Sequence, residues 1–178
     1  MANPALINIP KSYVEGAELD IVAQPVSALT LSGGLTYVKS RVQEDPGAPF
    51  AAVDPFGKVT SFIGEAFPNT PAWMGNADAV YTVPVPGDRD VYFGATVSAR
   101  SGPQAAFGEA PEFRLPGYAS LDLRAGVKSQ DEKWRAELWT RNVTNRAYWQ
   151  NVYNSDDVIA RAPGEPLTDG IALSYRFQ

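Results

Sequence analysis

The sequence predicts an all-β chain: an antiparallel transmembrane β-barrel segment of about seven strands, with short periplasmic turns and long outer loops. Three observations carry that expectation. In the run 118–127, Ala119, Leu121, Leu123, Ala125 and Val127 share one face, and Tyr118, Ser120, Asp122, Arg124 and Gly126 share the other. Such period-2 alternation marks a strand whose two faces meet different surroundings. Across the chain, the apolar faces carry no charge inside their bands, while the opposite faces hold Glu18, Asp20, Asp78, Asp122, Arg124, Arg135, Glu137 and Arg176. Finally, connections alternate in length: short after Gln24, Val83 and Lys128, long after Val42, Arg100 and Asn142. A soluble sandwich also alternates, but a second face this polar and bulky fits a wet or plugged lumen, and unequal connections fit an outer-membrane barrel.

Taken in order, residues 1–12 hold Pro4 and Pro10 and are not expected to form a central strand, because proline removes a ladder donor. The first strand is expected over 14–24, with Ala17, Leu19, Ile21 and Ala23 opposite Gly16, Glu18, Asp20, Val22 and Gln24. The second begins near Leu29 and sets Leu31, Gly33, Leu35 and Tyr37 against Thr30, Ser32, Gly34 and Thr36; its apolar parity turns charged at Lys39 and Arg41, where the band ends. Residues 43–70, rich in proline, glycine and aspartate, read as a long loop. A third strand follows over 71–83, with Trp73, Gly75, Ala77, Ala79, Tyr81 and Val83 opposite Asn76, Asp78 and Thr82. The segment 84–89 combines two prolines, a glycine and an aspartate, which is strong turn chemistry. The fourth strand sets Val91, Phe93, Ala95, Val97 and Ala99 against Tyr92, Gly94, Thr96, Ser98 and Arg100. After a loop at 101–116 comes the strand described first, then a turn at 129–132. The sixth strand, 134–141, places Trp134, Ala136 and Leu138 opposite Arg135, Glu137, Trp139 and Arg141. Residues 143–168 read as a last long loop, and the terminal strand sets Ile171, Leu173, Tyr175 and Phe177 against Ala172, Ser174, Arg176 and Gln178. Most of these runs reach the roughly 9–11 residues that a tilted membrane-crossing strand needs. Tyr37, Trp73, Trp134, Tyr175 and Phe177 sit near band ends, where aromatic girdles belong.

Bulk composition narrows the function classes. A net charge of −5 argues against nucleic acid as a partner, since such binders need a basic footprint. The absence of cysteine and histidine removes disulfides, thiolate metal sites and the commonest general base and zinc ligand. No apolar run approaches the 20 or so residues of a membrane helix, and residues 1–6 lack the basic and apolar regions of a signal peptide. No nucleophile stands beside a base, so no enzyme activity, cofactor or metal is expected. If the short turns are periplasmic, the first strand starts outside, whereas a complete single-chain bacterial barrel has an even strand count. The chain is therefore expected to be the last part of a larger barrel, all 178 residues belonging to one barrel domain.

Three segments then resemble a known family. The run Leu138-Trp139-Thr140-Arg141-Asn142-Val143-Thr144-Asn145-Arg146-Ala147-Tyr148, the run Gly164-Glu165-Pro166-Leu167-Thr168-Asp169-Gly170 and the closing Leu173-Ser174-Tyr175-Arg176-Phe177 are similar to the C-terminal signature of TonB-dependent outer-membrane receptors. Gly16, Glu18 and Asp20 match that family's Gly-x-Glu-x-acidic strand. Leu167 stands where the family has arginine, and Gln178 follows the usual terminal phenylalanine. The resemblance implies a plugged barrel of about 22 strands. Such a barrel imports a scarce ligand of the siderophore–iron, cobalamin or glycan class. It also implies the cell outer membrane as location. The implied partners are outer-membrane lipid, a plug domain, the remaining barrel strands, TonB acting through an N-terminal part, and the barrel-assembly machinery. These strands alone are then not expected to transport.

Candidate contact residues follow. Tyr148, Trp149 and Tyr153 in the last loop are candidates for stacking on a ligand, with loop packing and an aromatic girdle as the plainer reading. Arg124, Arg135, Glu137 and Arg141 are candidates for contact with the lumen or the plug, either along a substrate path or as ion pairs between neighbouring strands. Asn154-Ser155-Asp156-Asp157 offers oxygen ligands for calcium, although a solvated acidic loop reads the same and the EF-hand spacing is absent. Two other readings stay open: a complete small outer-membrane barrel of pore or adhesin type, whose missing strand lies in 1–12, and a soluble β-rich ligand-binding protein.

Overall fold

The computed structural model describes residues 8–47, 50–155 and 158–177. Seven strands form one antiparallel meander in which every strand pairs with the next: β1 (Lys11–Val26), β2 (Leu29–Glu44), β3 (Trp73–Val85), β4 (Arg89–Arg100), β5 (Tyr118–Ser129), β6 (Trp134–Arg141) and a terminal strand, Thr168–Tyr175. Between the last two lies a separate hairpin, β7 (Trp149–Ser155) with β8 (Val158–Pro163), so the terminal strand is β9. That hairpin corrects the expectation of an unstructured last loop at 143–168. Trp149, Val152, Tyr153, Val158 and Ile159 supply β-formers, but a register shift between Trp149 and Asn151 breaks their alternation. A bulge of this kind erases the period-2 signal while leaving the pairing intact.

Cross-strand register carries the predicted faces into three dimensions. One row runs Ala79, Ala95, Leu123; the next runs Tyr81, Phe93, Ala125, Leu138, Ile171. Both are apolar from strand to strand. On the opposite face, one row runs Asn76, Ser98, Ser120 and another Asp78, Thr96, Asp122, all polar. Since a one-residue slip would move every side chain to the wrong face, this agreement pins the register. The short connections hold only residues 27–28, 86–88 and 130–133, and Gly87 and Asp88 take left-handed φ values of 89° and 53° in the second of them. The long connections lie at the opposite end of the sheet. Tyr37 faces Trp73 at that end with ring centroids 4.6 Å apart, and Trp134 pairs with Tyr175 at the end of the short turns. Two aromatic belts thus bracket the apolar rows.

The two buried apolar clusters lie at the end of the sheet where the long connections gather, not across its apolar face. Val42, Ala52 and Phe62 form one cluster with Ile9, Phe67 and Phe107 against it; Phe113, Leu115 and Val152 form a second. The first joins the end of β2 to the connection after it, and in the second a 3-10 turn at Pro111–Phe113 brings Phe113 against Val152 of β7.

Candidate functional site on the luminal wall and outer loops

The polar face of the sheet is tied together by side chains that cross neighbouring strands. Arg124 on β5 sends its guanidinium over β4 to Asp78 on β3, with Nη1 donating to Thr96 Oγ1 and Nη2 to Asp78 Oδ1, each at 2.9 Å. The Thr96 hydroxyl in turn donates to Asp78 Oδ2 at 2.6 Å. The crossing is feasible because Gly94 is the residue directly opposite Arg124; a Cβ there would stand 2.7 Å from the guanidinium carbon. Charge-assisted bonds of this sort are the strong ones, and both partners are only about a quarter exposed.

The same device recurs one strand along. Tyr92 on β4 lies across Gly126 on β5 and donates its hydroxyl hydrogen to Glu137 Oε2 on β6 at 2.7 Å. Arg135 lies 5.5 Å from the Tyr92 ring centre, and Arg141 5.1 Å from Trp139. Of the four charged residues singled out from sequence, Arg124 and Arg141 make ion pairs, to Asp78 and to Glu165. Glu137 and Arg135 meet at Tyr92 instead. Asp78 and Thr96 were visible in sequence as polar-face residues, but the bond between Asp78 and Arg124 skips a strand, and Tyr92 carries no sign of a partner two strands away.

Above this wall, the three long connections pack on one another. Glu65, buried in the first, accepts the Gly108 N–H of the second at 2.8 Å. Burial pushes its carboxyl above the ordinary value; the Gly108 bond opposes this, and the nearby Glu109 and Asp45 carboxylates add to it. Phe62 and Phe107 stack at 4.6 Å across the same junction. Asn154 Nδ2 donates to Pro55 O at 2.7 Å, which ties the β7–β8 hairpin to the first long connection. Asp156 and Asp157, the acidic half of the calcium candidate, lie outside the described residues.

The three loop aromatics end in different settings. Tyr148 stacks on Tyr118 at the start of β5, centroids 3.8 Å apart, and Arg100 lies over the other ring at 4.9 Å. Arg100 also donates to Trp149 O at 3.1 Å. Trp149 itself is partly exposed with Arg161 over its ring, and Tyr153 points out of the packed cluster with half its surface free. Tyr148 is thereby a packing residue, while Trp149 and Tyr153 present ring surface to the outside. Arg100 and Tyr118, which sequence reasoning did not single out, complete this aromatic–guanidinium group.

A strand meander with a polar, cross-tied face, an apolar face and a capped end describes the wall of a membrane barrel. The family model described as TonB dependent receptor-like, beta-barrel matches residues 2–161, and the chain belongs to that family. Its members are outer-membrane receptors and transporters, not an enzyme family. Among solved structures, it is similar to the siderophore receptor PiuA from Acinetobacter baumannii, at 20% identity and a TM-score of 0.69, over 92% of this chain and 22% of that one. It is similar to the ferric yersiniabactin uptake receptor FyuA from Yersinia pestis at 14% identity and a TM-score of 0.68, over 90% and 23%. The ferric preacinetobactin receptor BauA from Acinetobacter baumannii gives 20%, 0.63, 92% and 22%. The chain therefore spans between a fifth and a quarter of the length of each. Curated proteins gave no match.

Proposed function

We propose that these strands are one arc of a larger outer-membrane barrel that imports a scarce ligand, with a siderophore–iron complex as the first class to try and cobalamin or a glycan as the others. One observation carries this reading. The sheet has an apolar face suited to lipid and a cross-tied polar face suited to a lumen, and among the described residues the outer edges of β1 and β9 pair neither with each other nor with any other strand. A closed small barrel needs those edges joined, and a soluble ligand cup needs its apolar face covered. The siderophore class rests on what the similar structures are named for: PiuA, FyuA and BauA are receptors for siderophores or their ferric complexes.

In this reading the apolar rows contact outer-membrane lipid after insertion by the barrel-assembly machinery. A plug domain fills the lumen against the Arg124 and Glu137 networks, and TonB supplies energy through that plug. Trp149 and Tyr153, whose rings are exposed, are proposed to touch ligand, and Arg135 and Arg141 to touch plug or ligand. The seven strands alone do not transport. Uptake of a radiolabelled ferric siderophore tests this in cells lacking other receptors for it. A full-length receptor containing these strands should restore uptake in a TonB-dependent way, and the chain alone should not. Uptake by the chain alone, or uptake indifferent to TonB, would overturn the reading.

A further inference from the structure

The two motif segments that flank the outer hairpin meet in space, and Asn142 sits where they meet. Asn142 is 3% exposed, yet every polar atom it owns is used. Its backbone N–H donates to the luminal Asp122 Oδ1 on β5 at 2.8 Å, and its carbonyl accepts the Asn145 N–H at 2.7 Å. Its Nδ2 donates to Arg146 O on the outgoing leg at 3.0 Å and to Glu165 O on the returning leg at 2.9 Å. Its Oδ1 accepts the Arg146 N–H at 2.9 Å. Two carbonyls and one N–H around one amide leave a single orientation for it, because a flipped group would set its oxygen against both carbonyls.

The returning leg is tied in from three more sides. Tyr148 Oη accepts the Glu165 N–H at 3.3 Å, Asn145 Oδ1 accepts the Leu167 N–H at 3.2 Å, and the Glu165 carboxylate takes Arg141 at 3.4 Å and Thr168 Oγ1 at 3.3 Å. The Tyr148 ring lies flat against Gly164, whose Cβ position it fills. Asn142 and Asn145 both hold φ at 47°, the left-handed region that asparagine tolerates best after glycine. A loop of this length would otherwise leave its two legs free to part, and with them the angle at which β7 and β8 leave the sheet.

We propose that 142–148 and 164–168 form a buckle at the base of the last outer loop, with Asn142 as the positioning residue that holds the β7–β8 hairpin over the luminal wall. Asp122 is its anchor in the wall. The proposal is independent of what, if anything, the receptor imports. Hydrogen–deuterium exchange on the full-length protein in detergent tests it. Asn142→Gly keeps the left-handed backbone and deletes only the side-chain bonds, so the protein should still fold. Exchange across Trp149–Ser155 and Val158–Pro163 should then speed up roughly tenfold to a hundredfold while β3 and β4 keep their protection. Asp122→Ala should act in the same direction, and Asp122→Asn, which retains an acceptor oxygen, should behave like the parent. Unchanged hairpin exchange in Asn142→Gly would overturn the proposal. Acceleration spread evenly over the sheet, or equal damage from Asp122→Asn and Asp122→Ala, would do the same.

Discussion

Ile171 and Leu173 on β9 leave 71% and 78% of their surface exposed, whereas Phe113 and Leu115 in the loop region leave 1% and 0%. Both pairs are large and apolar, so hydrophobicity does not separate them; the medium does. The strand residues project from the sheet's apolar face, where backbone groups are satisfied by the ladder and which, in the proposed barrel, lipid would cover. The loops stand in water and must remove their apolar groups from it by packing on each other, like any soluble core. One chain therefore carries two stabilisation strategies, divided near the aromatic belt of Tyr37 and Trp73.

The strongest way to break this comparison is at the loop core. Phe113→Ala should cost about 3–5 kcal/mol of local packing, since a fully buried ring leaves a cavity that two clustered neighbours cannot close. Amide exchange should rise through residues 101–117 and in β7, with the sheet unaffected; equal loosening of the sheet would mean that loops and wall are one cooperative unit. Next in size is the lipid face. Leu123→Arg, near the middle of β5, should lose about 2–4 kcal/mol of folding free energy in lipid vesicles, read by denaturant titration. Ser120→Arg on the luminal face of the same strand should lose much less. Equal costs would erase the distinction between faces.

The smallest effect sharpens the comparison through pH. Glu65 titrates above its ordinary value in the packed loops and at that value, about 4.5, once they open. An acid with a raised packed-state pKa binds its proton more tightly when packed. Its contribution is thus fully present below about pH 4.5 and is lost as pH rises through the higher value. Glu65→Gln keeps an acceptor for the Gly108 N–H and cannot ionise, so the pH dependence of exchange at 101–110, corrected for intrinsic rates, should flatten. An unchanged slope would show that ionisation of Glu65 does not govern the opening of this junction.

Much of the architecture was legible in sequence because the physics behind it is periodic. A strand between lipid and a polar lumen must alternate, and seven runs did; the two-residue to four-residue turns announced themselves through residues such as Gly87 and Asp88. The site was legible only in part. Arg124, Arg135, Glu137 and Arg141 were identifiable as charges on the polar face, but their partners were not. Pairing between adjacent strands was the natural expectation, and Arg124 instead passes over Gly94 to Asp78. The aromatic triplet was visible as well, without its division into Tyr148, packed on Tyr118, and Trp149 and Tyr153, turned outward.

By itself, then, the sequence determined the fold class, the strand count of the sheet, which face each residue occupies, and the side of the sheet where loops gather. Those follow from local alternation and turn chemistry, which need no knowledge of distant residues. The tertiary structure alone decided the β7–β8 hairpin, the loop cores, the strand-skipping bonds of Arg124 and Tyr92, and the convergence of two motif segments on Asn142. The hairpin's period is broken by its bulge, the loop cores arise from packing between separate connections, and the strand-skipping bonds and the Asn142 convergence depend on an empty position or a backbone carbonyl supplied from elsewhere, none of which a local period records.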